Sequence, residues 1–342
     1  MNETTRDAGA DDGRAHDRNA QDGRARDGQA HEARTGDGVT DTGAEAGTAA
    51  GTDVGKDVGT EAGTDAGPDI ASDAASATAA APPEPLVRIA FDRGITTLTL
   101  DSPYNRNALS ARLVAELYAG LAAAAASEDT RAVLLTHTGT TFCAGADLTE
   151  ATATAPATVT DTDPATAGPL GLARLLRTLV ELPKPVVARV TGHVRAGGLG
   201  LLGACDISVA GPGATFAFTE ARLGLAPAVI SMPLLPRLDA RAAARYYLTG
   251  ERFDAAEAAR IGLVTLAADE VDAGLAPVLD GLRKGSPQGL AESKRLVTAE
   301  LLRVFDRDTD ALAARSARLF GSAEAREGMT AFLGRRAPAW QR

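Results

Sequence analysis

No aromatic residue occurs before Phe91, and all 13 aromatic side chains of this 342-residue chain lie from that position on. The charge divides at nearly the same place. Residues 1–82 carry 17 acidic and 7 basic side chains, a balance of −10, so the remaining residues hold 28 of each (45 − 17 and 35 − 7) and are formally neutral. A stretch without aromatics, poor in branched aliphatics and unbalanced in charge cannot bury enough apolar surface to offset the entropy of ordering it. Glycine recurs there every four residues from Gly43 to Gly67. That spacing weakens a helix, and no branched side chain recurs from which a solenoid could be stacked. Residues 1–83 are therefore expected to form a disordered acidic tail rich in Gly, Ala, Asp and Thr, and residues 84–342 the folded domain.

The composition of that domain excludes several classes. A neutral body without a Lys/Arg stripe has no electrostatic footprint for nucleic acid. Its apolar runs are short or broken by proline, as between Gly224 and Pro236, so no membrane span is expected. The N-terminus alternates Asp, Arg and Gly without the apolar core of a secretory signal. Cys143 and Cys205 are the only cysteines, too few for a disulfide framework and without metal-ligand spacing. A cytoplasmic protein without a metal site is the expectation.

Order begins near Leu86. Val87–Phe91 and Ile95–Leu100 flank Asp92-Arg93-Gly94, a hairpin signal. Ser110 can cap a helix that carries Leu113, Val114, Leu117, Tyr118 and Leu121 on one face. Ala132–Thr136, Pro185–Val190, Ile207–Ala210 and Thr215–Phe218 read as strands, with a helix around Leu170–Leu182 and mostly helical patterning from Ala240 onward. Strands that alternate with helices imply crossover connections and a largely parallel sheet.

Two strands lead into turns of small residues: Ala132–Thr136 into Phe142-Cys143-Ala144-Gly145-Ala146-Asp147-Leu148, and Pro185–Val190 into Gly192-His193-Val194-Arg195-Ala196-Gly197-Gly198-Leu199-Gly200. Small residues let a ligand approach the backbone, and the helix start after the second turn leaves N–H groups and a positive dipole end free. Two such turns on adjacent strands could aim two N–H donors at one oxygen, which is an oxyanion hole in outline. Gly198-Leu199-Gly200-Leu201-Leu202-Gly203 also matches the dinucleotide fingerprint, with Glu220 about twenty residues on. The fingerprint requires its acid at the end of the next strand. Here that strand ends near Ala210, so a nicotinamide site is not expected.

At these residues the sequence resembles the enoyl-CoA hydratase/isomerase (crotonase) family, over roughly Val87 to Arg342. The resemblance is carried by Asn107-Ala108-Leu109, the FCAGADL turn, the G-x-x-x-x-G-G segment ending in Ala204-Cys205-Asp206, and Phe218-Thr219-Glu220. It continues through Leu248-Thr249-Gly250, Ala256–Leu263, Ser293-Lys294 and Glu327-Gly328-Met329. It implies an α/β fold, a spiral of ββα turns over about residues 84–270, with a helical trimerisation region over about 271–342. It also implies a homotrimer or a dimer of trimers that acts on an acyl-CoA thioester, with no cofactor beyond the coenzyme A of the substrate.

The resemblance places the two oxyanion donors on Ala146 and Gly197, and CoA contacts on Arg106, Ala108, Ala144, Asp147, Leu148 and Gly198. Hydratases of the family use two glutamates. One falls on Glu220, whose neighbours Phe216, Phe218, Leu223 and Leu225 imply a buried acid with a raised pKa. The other falls on Gly200, which cannot move a proton. Loss of a positioned acid/base group costs about 10²–10⁴-fold in rate. The expected activity is hydration of a 2-enoyl-CoA. A Δ3,Δ2-enoyl-CoA isomerase or an acyl-CoA decarboxylase using the single glutamate, and a catalytically silent CoA-binding scaffold, are the alternatives. His137, His193 and Cys143 are expected to be structural. Arg335 and Arg336 are candidates for CoA phosphates, and the Thr/Ala/Pro-rich segment at 151–168 for a mobile acyl-pocket loop. Deleting residues 1–82 is expected to leave the melting temperature and catalytic rate nearly unchanged, which differential scanning fluorimetry and an activity assay on the truncated chain check.

Overall fold

The computed structural model describes residues 84–153 and 168–341. The expected disordered tail (1–83) and most of the Thr/Ala/Pro segment fall outside them. In chain order the elements are β1 (Val87–Asp92), β2 (Ile95–Leu100), α1 (Ala111–Ala126), β3 (Ala132–His137), β4 (Thr141–Cys143), α2 (Leu148–Ala153) and α3 (Gly168–Glu181). Then come β5 (Val186–Val190), β6 (His193–Arg195), α4 (Gly197–Ala204), β7 (Ile207–Ala210) and β8 (Thr215–Ala217). A 3₁₀ turn (Glu220–Leu223) leads to α5 (Ser231–Leu234), α6 (Ala240–Thr249), β9 (Phe253–Asp254), α7 (Ala255–Arg260) and β10 (Leu266–Ala267). The chain closes with α8 (Val271–Lys284), α9 (Pro287–Phe320) and α10 (Ala323–Leu333).

The β1–β2 hairpin pairs Asp92 with Ile95 across a two-residue loop. Both loop residues, Arg93 (φ 42°) and Gly94 (φ 84°), are left-handed, as the tight hairpin turns that match strand twist require. Ser110 caps α1 as its sequence suggested, with its side chain accepting from the Leu113 N–H. The strands form two sheets where one was expected. The larger has the order β1-β2-β3-β5-β7-β10 and the smaller β4-β6-β8-β9. All pairings are parallel except β1–β2 and β8–β9. Each of β3–β4, β5–β6 and β7–β8 thus sends its first strand to the large sheet and its second to the small one. This is the ββα spiral that the resemblance implied.

The large sheet is buried on both faces, and its alternation shows it. Val133 and Leu135 of β3 and Val186, Ala188 and Val190 of β5 join the main core with α1 and α3. Ala132, Val187 and Val209 face the other way, onto Val271, Leu275 and Leu282 of α8. Burial on both faces is why these strands read as continuous apolar runs.

Two of the recognised motifs prove to be one tie. Asp206 Oδ2 accepts from the Val186 N–H at 2.7 Å and from Lys294 Nζ at 2.8 Å. Lys294 also donates to the carbonyls of Leu179 (2.7 Å) and Lys184 (3.1 Å). This nearly buried ammonium fastens α9 to the start of β5 and β7, behind the second glycine turn. Removing one partner of a buried pair leaves the other charge uncompensated. Lys294→Met is expected to destabilise the fold by about 3–5 kcal/mol, read by urea unfolding.

Candidate active site

The first glycine turn is held in place by a neighbour that precedes it in sequence. Arg106 (φ 60°) and Asn107 (φ 53°) are consecutive left-handed residues, a costly arrangement unless its surroundings fix it. The fully buried Asn107 side chain does so. Its Oδ1 accepts from the Ser102 N–H (2.7 Å), and its Nδ2 donates to the carbonyls of Thr138 (3.1 Å) and Thr141 (2.8 Å). Locked to the β3–β4 connection, the segment then runs beside the turn. Ala144 N–H donates to Arg106 O (3.1 Å), Leu109 N–H donates to Gly145 O (2.8 Å), and Leu109 bridges Ala146 in parallel fashion. Asp147 ends the turn by capping α2, with Oδ1 accepting from the Thr149 N–H (3.0 Å) and Oδ2 from Asn105 Nδ2 (3.1 Å).

The second turn meets the first directly. Ala196 is left-handed (φ 45°) and tips Gly197 into the first position of α4, where the helix offers its N–H no acceptor. The contact leaves no room for a side chain at Gly145 or Gly198. A Cβ on Gly145 would lie 2.8 Å from Ala196 Cβ and 3.2 Å from Gly197 N, and one on Gly198 would lie 2.7 Å from Cys143 Cβ. A Cβ on Gly197 would stand 3.6 Å from Gly145 Cα and 3.7 Å from Ala146 N. The Ala146 nitrogen and Gly197 are therefore neighbours, at the positive end of a helix whose eight residues are all buried.

Glu220 arrives from the same sheet. β8 pairs with β6, Ala217 lying opposite Arg195, so the turn carrying Glu220 leaves the sheet beside Ala196–Gly197. Gly224 (φ 72°) closes that turn onto Glu220 O. The residue is only 8 % exposed, and Oε2 has no hydrogen-bond partner among the described residues. Burial pushes its pKa up to about 7, opposed in part by a hydrogen bond from its own backbone N–H. A carboxylic acid that titrates near neutrality can both take and give a proton. One contact that sequence reasoning missed holds it there: α10 packs on the turn. A Cβ on Gly224 would lie 2.7 Å from the Glu324 carbonyl carbon, and one on Gly328 would lie 2.8 Å from Leu223 Cα. The Glu327-Gly328-Met329 motif is thus the seat of the Glu220 turn, a role visible only once the helix is docked.

Gly200 is not an open gap. A Cβ there would lie 2.6 Å from Ile230 Cγ2 and 3.1 Å from Leu176 Cδ1, so apolar side chains fill the place of a second carboxylate. Of the remaining candidates, Ala108 is buried, Ala144 and Leu148 are half-buried and Arg106 is exposed beside the first turn. Arg106 has no ion-pair partner among the described residues. Arg336 is bound to Glu327 (2.6 Å). His193 accepts from or donates to Thr215 Oγ1 (3.0 Å), and Arg195 donates to the same hydroxyl (2.7 Å), which leaves both on strand-bracing duty. His137 Nε2 accepts from the Thr191 N–H (3.2 Å), and burial holds its pKa down. Burial pushes the Cys143 thiol up to about 12, so it is no nucleophile at neutral pH.

Comparison with known proteins converges on one family. Residues 90–342 match the family model described as enoyl-CoA hydratase/isomerase. A protein of Bacillus subtilis named a probable enoyl-CoA hydratase is 29 % identical over 259 residues, covering 75 % of this chain and 98 % of that one. The 1,2-epoxyphenylacetyl-CoA isomerase of Escherichia coli is 33 % identical over 255 residues, covering 72 % and 95 %. The crystal structure of an enoyl-CoA hydratase from Mycobacterium avium, 52 % identical, superposes with a TM-score of 0.67 and covers 75 % of this chain and 99 % of that one.

The Glu220 pKa has a sign that can be checked. A carboxyl of ordinary value 4.5 that titrates near 7 when folded binds its proton more tightly in the native state. The stability this confers is complete below pH 4.5 and is lost as pH rises through 7. Glu220→Gln, which carries no charge, is expected to gain about 3 kcal/mol over the parent chain between pH 4.5 and pH 8, read by chemical unfolding at both pH values.

Proposed function

Because the chain belongs to the enoyl-CoA hydratase/isomerase family, we propose that it is an acyl-CoA enzyme of the enoyl-CoA hydratase type, adding water to a 2-enoyl-CoA or eliminating it. The observation that carries the reading is the close approach of the Ala146 and Gly197 backbones, together with a buried carboxyl that titrates near neutrality. The thioester oxygen sits between the two N–H groups. As water adds to C3, the π electrons of the C2–C3 bond move toward that oxygen, where each donor is worth about 10²–10³ in rate. Glu220 as carboxylate takes a proton from the attacking water and, now neutral, gives it to C2 as the enolate collapses. Coenzyme A arrives as part of the substrate, and the chemistry needs no other cofactor. Its pantetheine arm passes Ala108, Ala144, Asp147, Leu148 and Gly198, and its phosphates meet Arg106, whose guanidinium is exposed beside the turn.

The filled space at Gly200 favours a second reading. With Ile230 and Leu176 where another carboxylate would stand, Glu220 alone could carry a proton from C2 to C4 of a 3-enoyl-CoA, a Δ3,Δ2 isomerisation that requires no second group. Loss of carbon dioxide from a carboxyacyl thioester would use the same oxyanion pair. We also propose a homotrimer or dimer of trimers. Exposed Leu248 (78 %), Leu296 (80 %) and Val297 (74 %) support subunit contacts through the helical half. No helix among the described residues is long and apolar enough to cross a membrane.

Incubation with crotonyl-CoA and with 3-hexenoyl-CoA, followed by mass spectrometry and chromatography, separates the readings. Gain of one water by crotonyl-CoA is the expected result, lost in Glu220→Gln by at least about 10²-fold. Conversion of 3-hexenoyl-CoA alone would favour the isomerase. Thioester binding without either product would point to decarboxylation or to a silent scaffold.

A further inference from the structure

β1 is an edge strand of the large sheet, paired with β2 on one side only. That pairing runs unbroken over all six residues, and β1 holds neither a proline nor a bulge, the devices that commonly blunt an edge. The hairpin fixes which backbone groups face outward. Asp101 N–H donates to Leu86 O (2.7 Å), and Asp92 and Ile95 close the two-residue loop. Backbone groups alternate in direction along a strand. Leu86, Arg88, Ala90 and Asp92 therefore turn theirs to β2, and Ile89 and Phe91 turn theirs away. The side chains of Ile89 and Phe91 share one face of the strand, and each is 55 % exposed. On the other face Arg88 and Asp92, of opposite charge, flank the exposed Ala90.

This pattern is complementary to itself. Two copies of β1 can run antiparallel about a two-fold axis through Ala90. Ile89 then stands opposite Phe91 of the second copy, and Arg88 opposite Asp92. Each Ile89–Phe91 pair exchanges two backbone hydrogen bonds, four in all, and the facing apolar and opposite-charge side chains add to them. Arg88 already meets Asp101, and Asp92 meets Arg93 and Arg283, so the contact extends a row of alternating charge. Other registers fail. An axis through Ile89 sets Arg88 against Ala90, and one through Phe91 sets Asp92 against Ala90, so neither pairs the charges. An axis between residues turns outward groups onto groups already bonded to β2. We propose that β1 is an interface at which two copies of this chain join their large sheets edge to edge, in the register centred on Ala90. The occupant is a second copy because the apolar and the charge pattern of β1 are both satisfied by β1 itself. The contact does not depend on the catalytic reading or on a trimer. Added to a trimer, it supplies the two-fold axis that a dimer of trimers requires.

The test uses the full chain. Its own cysteines, Cys143 and Cys205, are buried and stay in place. Residues opposite each other at a non-hydrogen-bonded position of an antiparallel ladder have Cα atoms about 4.5 Å apart, within disulfide reach. Ala90→Cys is therefore expected to form a covalent dimer under mild oxidation, read on a non-reducing gel. Arg88→Cys is expected to stay a single chain there, because its counterpart lies about 13 Å further along the strand. Arg88→Cys combined with Asp92→Cys should cross-link again, since those two positions face each other. Light scattering over a concentration series gives the second readout. The parent mass is expected to be twice that of Asp92→Arg, which sets like charges face to face, and the exchange Arg88→Asp with Asp92→Arg should restore it. Equal cross-linking of Ala90→Cys and Arg88→Cys, as random collision would give, overturns the proposal. So does a parent mass that Asp92→Arg leaves unchanged.

Discussion

The site depends on a contact that leaves no room for a side chain at Gly145. The two turns press together there so closely that a Cβ on Gly145 would fall 2.8 Å from Ala196 Cβ. That approach brings the Ala146 nitrogen beside Gly197, 3.7 Å from where a Cβ would stand. Neither turn could reach the contact alone. Asn107 fixes the first through three hydrogen bonds, to Ser102 and to Thr138 and Thr141 at the β3–β4 connection, and the left-handed Ala196 aims the second into the start of α4. Backbone strain at Arg106, Asn107 and Ala196 is sustained by this network and placed where the two turns meet.

Around that contact, the C-terminal helices hold the buried carboxyl. α10 sits on the Glu220 turn through Gly224 and Gly328, and α9 is tied to the sheet by Lys294 and Asp206. Burial does the rest, lifting the Glu220 carboxyl into the neutral range. The same apolar packing closes the Gly200 position, where Ile230 and Leu176 leave no space for a second acid.

Much of this was legible in the residues themselves. β3, β5 and β7 stood out as aliphatic runs because both faces of the large sheet are covered. Phe216 and Phe218 announced that Glu220 would be buried. Of the small sheet only β8 was legible, as Thr215–Phe218; β4 and β6 are three residues long and β9 is two, too short for any periodicity. β6 lies inside the second turn first read as a glycine loop, and β4 runs into the first. Asn107 had a readable hint, since asparagine tolerates the left-handed region better than most residues. The roles of Gly328 and Ile230 had none. Each depends on a contact between segments distant along the chain, on which local patterning is silent.

The central claim is that one thioester oxygen accepts from both the Ala146 and Gly197 N–H groups. Isotope-edited infrared spectroscopy of a bound acyl-CoA labelled with ¹³C at its thioester carbonyl tests it most directly. The account predicts that the carbonyl stretch moves to lower frequency on binding, as two donors polarise the bond, and that the shift persists in Glu220→Gln, which leaves both donors in place. A bound thioester whose carbonyl absorbs where it does in water would contradict it.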